Sequence, residues 1–129
     1  MNIAILFGRK NSKSIRNKNI LKIFSKPMFM YPLSAAKKVK QIDKIYVSSD
    51  SGYILKQAKK NGCIPINRPK YLCNDKALLE EAIQHAVNYC QNINSNKITN
   101  FIILLCNSIC VRSADIEEGL KILKKTKKI

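Results

Sequence analysis

Short apolar runs alternate along the 129-residue chain with stretches in which apolar residues recur at helical spacing. The first run, Asn2 to Phe7 (NIAILF), predicts a buried β-strand. Gly8 to Asn19 (GRKNSKSIRNKN) has no hydrophobic period and reads as a loop. Beyond Pro27, the spacing from Met28 to Val39 predicts a helix. Lys44 to Ser48 (KIYVS) predicts a second strand. Ser49-Asp50-Ser51 then offers capping side chains for a helix running to Lys60, with Gly62 as its stop. Cys63 to Ile66 predicts a short third strand, ended by Arg68-Pro69. Asn74-Asp75 is expected to open a long helix from about Ala77 to Asn92, with Ala82, Ile83, Ala86, Val87 and Cys90 on one stripe. A polar loop, Gln91 to Lys97, precedes Phe101 to Cys106, a strand apolar throughout and therefore expected at the centre of the sheet. Ser113 is expected to cap a last helix reaching Lys125, with Glu117 and Glu118 in or near its first turns.

Strands alternating with helices imply an α/β fold, a mostly parallel sheet with helices on both faces, formed by one domain over residues 1–129. Such sheets often continue past a final helix, so the chain is expected to be the first part of a larger fold. In open parallel sheets ligands bind beyond the carboxyl ends of the strands. Three polar segments fall there: Gly8 to Asn19, Ser48 to Ser51, and Asn107 to Arg112, while Arg68 closes the third strand. Within the first, Arg9, Lys10, Lys13, Arg16 and Lys18 stand close together, with Ser12 and Asn19 as neutral donors. Cations, backbone N–H groups and a hydroxyl in one loop can wrap a triphosphate. Neither GxxxxGK[ST] nor GxGxxG is present, and with 4 glycines in the chain neither phosphate loop is built here.

Composition narrows this reading. The chain carries 24 basic and 8 acidic residues, for a net charge of +16, which attracts phosphates of any kind without choosing among nucleotide, nucleic acid and membrane. Lysine dominates that charge, and abundant Asn and Ile beside it are what an AT-rich coding sequence produces. The aromatic residues do not interleave with the lysines and no zinc-finger or RNP1 pattern occurs, which argues against nucleic acid. Six residues is the longest apolar run, against about 20 needed to span a bilayer. No basic n-region or cleavage site marks a signal peptide, so a cytoplasmic protein with no membrane partner is expected. The 5 cysteines, Cys63, Cys73, Cys90, Cys106 and Cys110, lack CxxC spacing and read as reduced, mostly buried thiols. The single histidine, His85, falls on a predicted helix and reads as structural.

Several ordered blocks resemble a known family. ILFGRKNSKSIRNKNI followed by FSKPMFMYPLSAA is similar to the opening of the cytidylyltransferases that activate sialic acid and related nonulosonic acids. That opening is a strand, Ala-Arg-Gly-Gly-Ser-Lys, Lys-Asn and then Gly-Lys-Pro-Leu. Arg9, Ser12, Lys13, Lys18, Asn19, Lys26 and Pro27 match in order and spacing. KIYVSSDSGYI, GCIPINRPKYLCND and ILLCNSICVRSADIEEGLKIL resemble later blocks, so the similarity runs over essentially the whole chain. Lys10-Asn11 stands where the family has Gly-Gly, and Asn107-Ser108-Ile109 lacks the proline of Asn-Ala-Pro.

The resemblance implies a Rossmann-like nucleotidyltransferase domain of the nucleotide-diphospho-sugar transferase type. It implies transfer of CMP from CTP to a nonulosonic acid, giving the CMP-sugar and pyrophosphate, with Mg²⁺ as cofactor. On it, Arg9 and Lys18 take the catalytic role, and Arg9, Ser12 and Lys18 hold the triphosphate. Lys13 joins them in binding the nucleotide and Asn19 contacts it close by. Arg68 lies at the nucleotide pocket, and Asn107 near the cytidine or the sugar entrance. Family members are longer, and their metal-binding aspartates, much of the sugar site and the dimer-forming segment lie in the further part. The metal ligands are therefore not assigned to residues of this chain. Asp50 and Asp75 are single carboxylates that read as helix-cap or structural residues. A homodimer or a complementing polypeptide is implied, and the alternative is a truncated, inactive nucleotide-binding relative or one half of a split enzyme.

Overall fold

The fold rests on a four-stranded parallel sheet in the order β5-β4-β1-β6, seen in a computed structural model that describes residues 1–9, 21–74 and 78–126. The strands are β1 (Asn2–Phe7), β4 (Lys44–Ser49), β5 (Ile64–Asn67) and β6 (Asn100–Leu105). A two-stranded hairpin, β2 (Lys22–Ile23) and β3 (Lys26–Pro27), precedes the first helix. The helices are α1 (Met30–Lys37), α2 (Gly52–Lys60), α3 (Leu79–Ile93) and α4 (Ser113–Thr126), with a 3₁₀ turn at Lys70–Leu72. Ile5 of β1 pairs with Tyr46 of β4 on one side and Ile103 of β6 on the other, all parallel.

Alternation along β1 feeds two cores. Ile3, Ile5 and Phe7 meet Tyr46, Ile66 and the Ala82, Ala86 and Cys90 stripe of α3. Leu6, with Val47 and Leu104, packs on the opposite face against Phe29 and Leu33, Ile54 of α2, and Ile116 and Leu120 of α4. Small residues on α3 face the sheet, and β1 is the most deeply buried of the described strands.

The expected centre of the sheet is corrected by this order. β6 pairs only with β1 among the described strands and lies at the sheet edge, leaving Ile103 exposed. An apolar run reports contact with a core, not the number of neighbouring strands. Two helix starts also differ from expectation. Ser113 is the first residue of α4 rather than its cap, and the Asp115 carboxylate accepts from the Arg112 backbone N–H at 3.2 Å. The cap position of α3 is Leu78, four residues after Asn74, without a side-chain cap bond.

Both ends of α2 follow the sequence expectation. The Ser51 hydroxyl accepts from the Ile54 N–H, and Gly62 takes φ +78° just past the helix. The small hairpin was not visible in the hydrophobic period, because two-residue strands carry none. Its turn residues, Phe24 and Ser25, both adopt left-handed φ values of 51° and 66°.

Candidate functional site

At the carboxyl end of the sheet, each strand hands its chain to a segment still tied to its neighbour. The Gly8 N–H donates to Ser48 O at 3.1 Å, the Cys106 N–H to Phe7 O at 2.9 Å, and the Arg68 N–H to Ser49 O at 2.9 Å. These bonds fix the backbone of β1, β4, β5 and β6 just where the polar segments begin. Ser49 Oγ accepts from the Ser51 N–H at 3.0 Å, which turns the chain sharply into α2 and leaves Asp50 exposed at the bend.

Two arginines from different strand ends converge on one short turn. Arg9 Nη1 donates to the Cys73 carbonyl at 3.2 Å, and Arg68 Nε donates to the Leu72 carbonyl at 2.8 Å. Arg68 is buried, and burial pulls its pKa below the ordinary value. Cys73, Asp50 and Cys106 oppose that shift and Arg9 adds to it. A guanidinium stays charged under such a shift, so Arg68 is a partly dehydrated cation with a second cation beside it. An anion arriving between them meets less competing water than at an exposed lysine.

The remaining groups shape this pair's surroundings. Burial, then Asp50, pushes the Cys73 thiol up to about 11, and the thiol bonds to the Asp50 side chain and donates to Pro69 O at 3.3 Å. Cys106 is pushed up to about 12 by burial, against the pull of Arg68. Burial thus favours the neutral thiol at both positions. The Ser48 hydroxyl, on the penultimate residue of β4, is fully buried without a hydrogen-bond partner among the described residues.

Arg9 and Arg68 are therefore brought to the same turn. Asn107 stands at the same end of the sheet, exposed, in the turn that follows Cys106. Ser12, Lys13, Lys18 and Asn19 lie outside the described residues, as does Asp75. The sequence missed the part played by the Lys70–Leu72 turn, whose contribution is two backbone carbonyls and so has no side-chain signature. Of the cap and structural alternatives for Asp50, the cap falls to Ser51, and Asp50 faces Cys73 and Arg68. All five cysteines are free, and Cys63, Cys90 and Cys106 are buried. Among the described residues no three His, Cys, Asp or Glu side chains gather as a metal-ligand set. Among them, too, no helix is long and apolar enough to cross a membrane.

The family model for cytidylyltransferases matches residues 3–94, the stretch that carries both arginines and the turn between them. The chain belongs to the cytidylyltransferase family. Curated relatives agree. It is 42% identical over 84 residues to a Helicobacter pylori protein described as pseudaminic acid cytidylyltransferase and UDP-2,4-diacetamido-2,4,6-trideoxy-beta-L-altropyranose hydrolase, covering 64% of this chain and 16% of that protein. It is 37% identical over 86 residues to the Escherichia coli N-acylneuraminate cytidylyltransferase, covering 67% and 20%. With a Campylobacter jejuni pseudaminic acid cytidylyltransferase it shares 35% over 94 residues, covering 72% and 40%. Among solved structures, CMP:2-keto-3-deoxy-manno-octonic acid synthetase complexed with CTP superimposes with a TM-score of 0.78 at 18% identity, over 96% of this chain and 47% of that one. Rv0371c of Mycobacterium tuberculosis follows at 0.63 and 12%, over 94% and 59%. These two likenesses establish the nucleotidyltransferase fold. This cytidylyltransferase chain thus spans less than half the length of the curated relatives it matches.

Proposed function

We propose that the chain is a single nucleotide-binding domain of a cytoplasmic enzyme that transfers CMP from CTP to a nonulosonic acid. The observation that carries the reading is the arginine pair. Arg9 and Arg68 come from separate strand ends, and carbonyls of one turn hold them side by side at the end of a parallel sheet where ligands bind. In the reaction, the sugar's anomeric hydroxyl attacks the α-phosphorus of CTP. An O–P bond forms as the hydroxyl gives up its proton to water, the α–β phosphoanhydride breaks, and pyrophosphate leaves with the electron pair. Charge grows on the five-coordinate phosphorus and on the leaving group, and cations already in place stabilise it without reorganising.

In this reading Arg9 and Lys18 are the catalytic cations. Ser12, Lys13 and Asn19 complete the grip on the nucleotide, and Asn107 lies toward the cytidine or the sugar. Arg68 holds the turn and adds charge behind Arg9. The Mg²⁺ that the family resemblance implies finds no ligand set among the described residues, so no step is assigned to it.

That same observation favours a second reading, in which the chain binds CTP but needs a complementing polypeptide or a second copy to turn it over. One assay separates the two. The full chain is incubated with CTP, Mg²⁺ and either N-acetylneuraminic or pseudaminic acid, and pyrophosphate and CMP-sugar are measured. Both products in equal amounts, lost in Arg9→Ala, support the enzyme. Bound CTP without either product supports the half-enzyme, and absence of both binding and product contradicts the nucleotide reading altogether.

A further inference from the structure

Asn61 is the only asparagine of the chain that is followed by a glycine, Gly62. The pair joins α2 to β5. Asn61 stands at the C-terminal cap of α2 with φ −95° and ψ 15°, and Gly62 takes φ +78°, a value that a side chain would strain. A Cβ placed on Gly62 would meet nothing within 4 Å, so the glycine answers a demand of the backbone and not of packing. That choice has a chemical consequence. Asparagine is among the chemically labile side chains, and the nitrogen that follows it here carries no Cβ on its own residue to crowd an attack.

The reaction open to such a pair is intramolecular. The Gly62 nitrogen gives its proton to water and forms a C–N bond to Asn61 Cγ, closing a succinimide ring. The Cγ–Nδ2 bond breaks, and the nitrogen takes the electron pair and a proton from water to leave as ammonia. A further water opens the ring at either carbonyl, giving aspartate or isoaspartate. The folded geometry opposes the first step. Ring closure needs the Gly62 nitrogen eclipsed with Cβ about the Cα–C bond, whereas ψ of 15° nearly eclipses it with the nitrogen of Asn61 itself. Asn61 Nδ2 donates to the Gln57 carbonyl at 2.8 Å, which holds the side chain back along the helix. The Gly62 N–H donates to Lys59 O at 3.1 Å and the Cys63 N–H to Ala58 O at 2.9 Å. Rotation of ψ into the reactive range breaks these backbone bonds and disturbs Ala58 and Cys63, both buried in the core between α2 and the sheet.

We propose that Asn61–Gly62 is a self-modification site, kept unreactive by the closed α2–β5 junction and released when that junction opens. The rate in the folded chain is then the rate in the unfolded chain multiplied by the fraction of molecules open at the junction. Gly62 is exposed, so water reaches the ring as soon as it forms. The products act on the structure that held them off. Isoaspartate places an additional carbon in the main chain just before β5, the strand that leads into Arg68 and its N–H bond to Ser49 O. Aspartate places a negative charge at the C-terminus of α2, where the helix dipole disfavours it. Modification thus marks molecules that have opened.

The test is incubation of the full chain at mildly alkaline pH, in buffer and in guanidinium chloride, followed by tryptic digestion and mass spectrometry. Trypsin cuts after Lys60 and Lys70 and spares Arg68-Pro69, so one peptide, residues 61–70, carries the site. Fragment ions separate Asn61 from Asn67, and aspartate from isoaspartate. Expected in denaturant is modification of Asn61 ahead of every other asparagine, and in buffer a rate at least about tenfold lower. Ser51→Ala removes the cap at the other end of α2 and is expected to speed the reaction in buffer about fivefold, with no change in denaturant. Gly62→Ala is expected to suppress the reaction in denaturant, where the native backbone conformation plays no part. Equal rates in buffer and denaturant, a rate in buffer that Ser51→Ala does not raise, or another asparagine reacting first in denaturant would each overturn the proposal. So would undiminished reaction in Gly62→Ala. The proposal does not depend on nucleotide binding, so its failure leaves that reading untouched.

Discussion

Single side chains at the carboxyl end make distinct thermodynamic statements. The Ser48 hydroxyl is buried without a partner among the described residues, and such a group costs more than the methyl that would replace it. Ser48→Ala is therefore expected to raise stability by about 1 kcal/mol in urea unfolding; a loss of that size would mean the hydroxyl is bonded in the folded protein. The thiols give a pH dependence. Cys73 and Cys90 are each raised from 9.0 to about 11, so the folded state keeps both protonated while the unfolded chain ionises first. Their stabilisation is complete below pH 9 and is lost as pH rises toward about 11. The midpoint of thermal unfolding is expected to fall across that window. Iodoacetamide at mildly alkaline pH should label exposed Cys110 before Cys73, Cys90 or Cys106, read by peptide mass spectrometry. The positions of Arg9 and Arg68 just after strand ends were legible at this scale. The carbonyls of Leu72 and Cys73 that hold them were not, since any residue supplies a carbonyl.

Whole elements were legible where local chemistry decides them. The α2 helix shows both signals in the sequence, a serine cap and a glycine stop, and both do the expected work. Strand order was not legible, because β1 and β6 are both apolar runs and only tertiary pairing separates the centre from the edge. The β2–β3 hairpin was silent for a different reason: its turn uses Phe24 and Ser25 where Asn-Gly is the low-energy choice. Phe24 is also 95% exposed, so its ring is not held in place by burial. Phe24→Asn/Ser25→Gly is expected to stabilise the protein by about 0.5 to 1 kcal/mol by relieving two left-handed non-glycine residues. Chemical denaturation checks it, and a destabilised variant would show that Phe24 makes a contact worth more than the strain.

For the molecule as a whole, the fold places the described arginines, Arg9, Arg68 and Arg112, at the carboxyl end of the sheet, although composition presents every cation as one excess of +16. The cytidylyltransferase family and the fold were both legible in the ordered motif blocks. Much of the site was legible only as residue types, since the basic loop from Lys10 to Ile20 lies outside the described residues. The central claim is that Arg9, beside Arg68, belongs to a CTP site. Thermal unfolding of the wild-type chain and of Arg9→Ala, each with CTP, ATP, GTP or UTP in moderate salt with Mg²⁺, tests it most directly. A ligand at about 100 times its dissociation constant adds roughly 2.7 kcal/mol, enough to raise the midpoint by several degrees. The account predicts a rise with CTP that the other nucleotides do not match and that Arg9→Ala abolishes. An equal rise with every nucleotide, or a CTP shift that survives in Arg9→Ala, would contradict it.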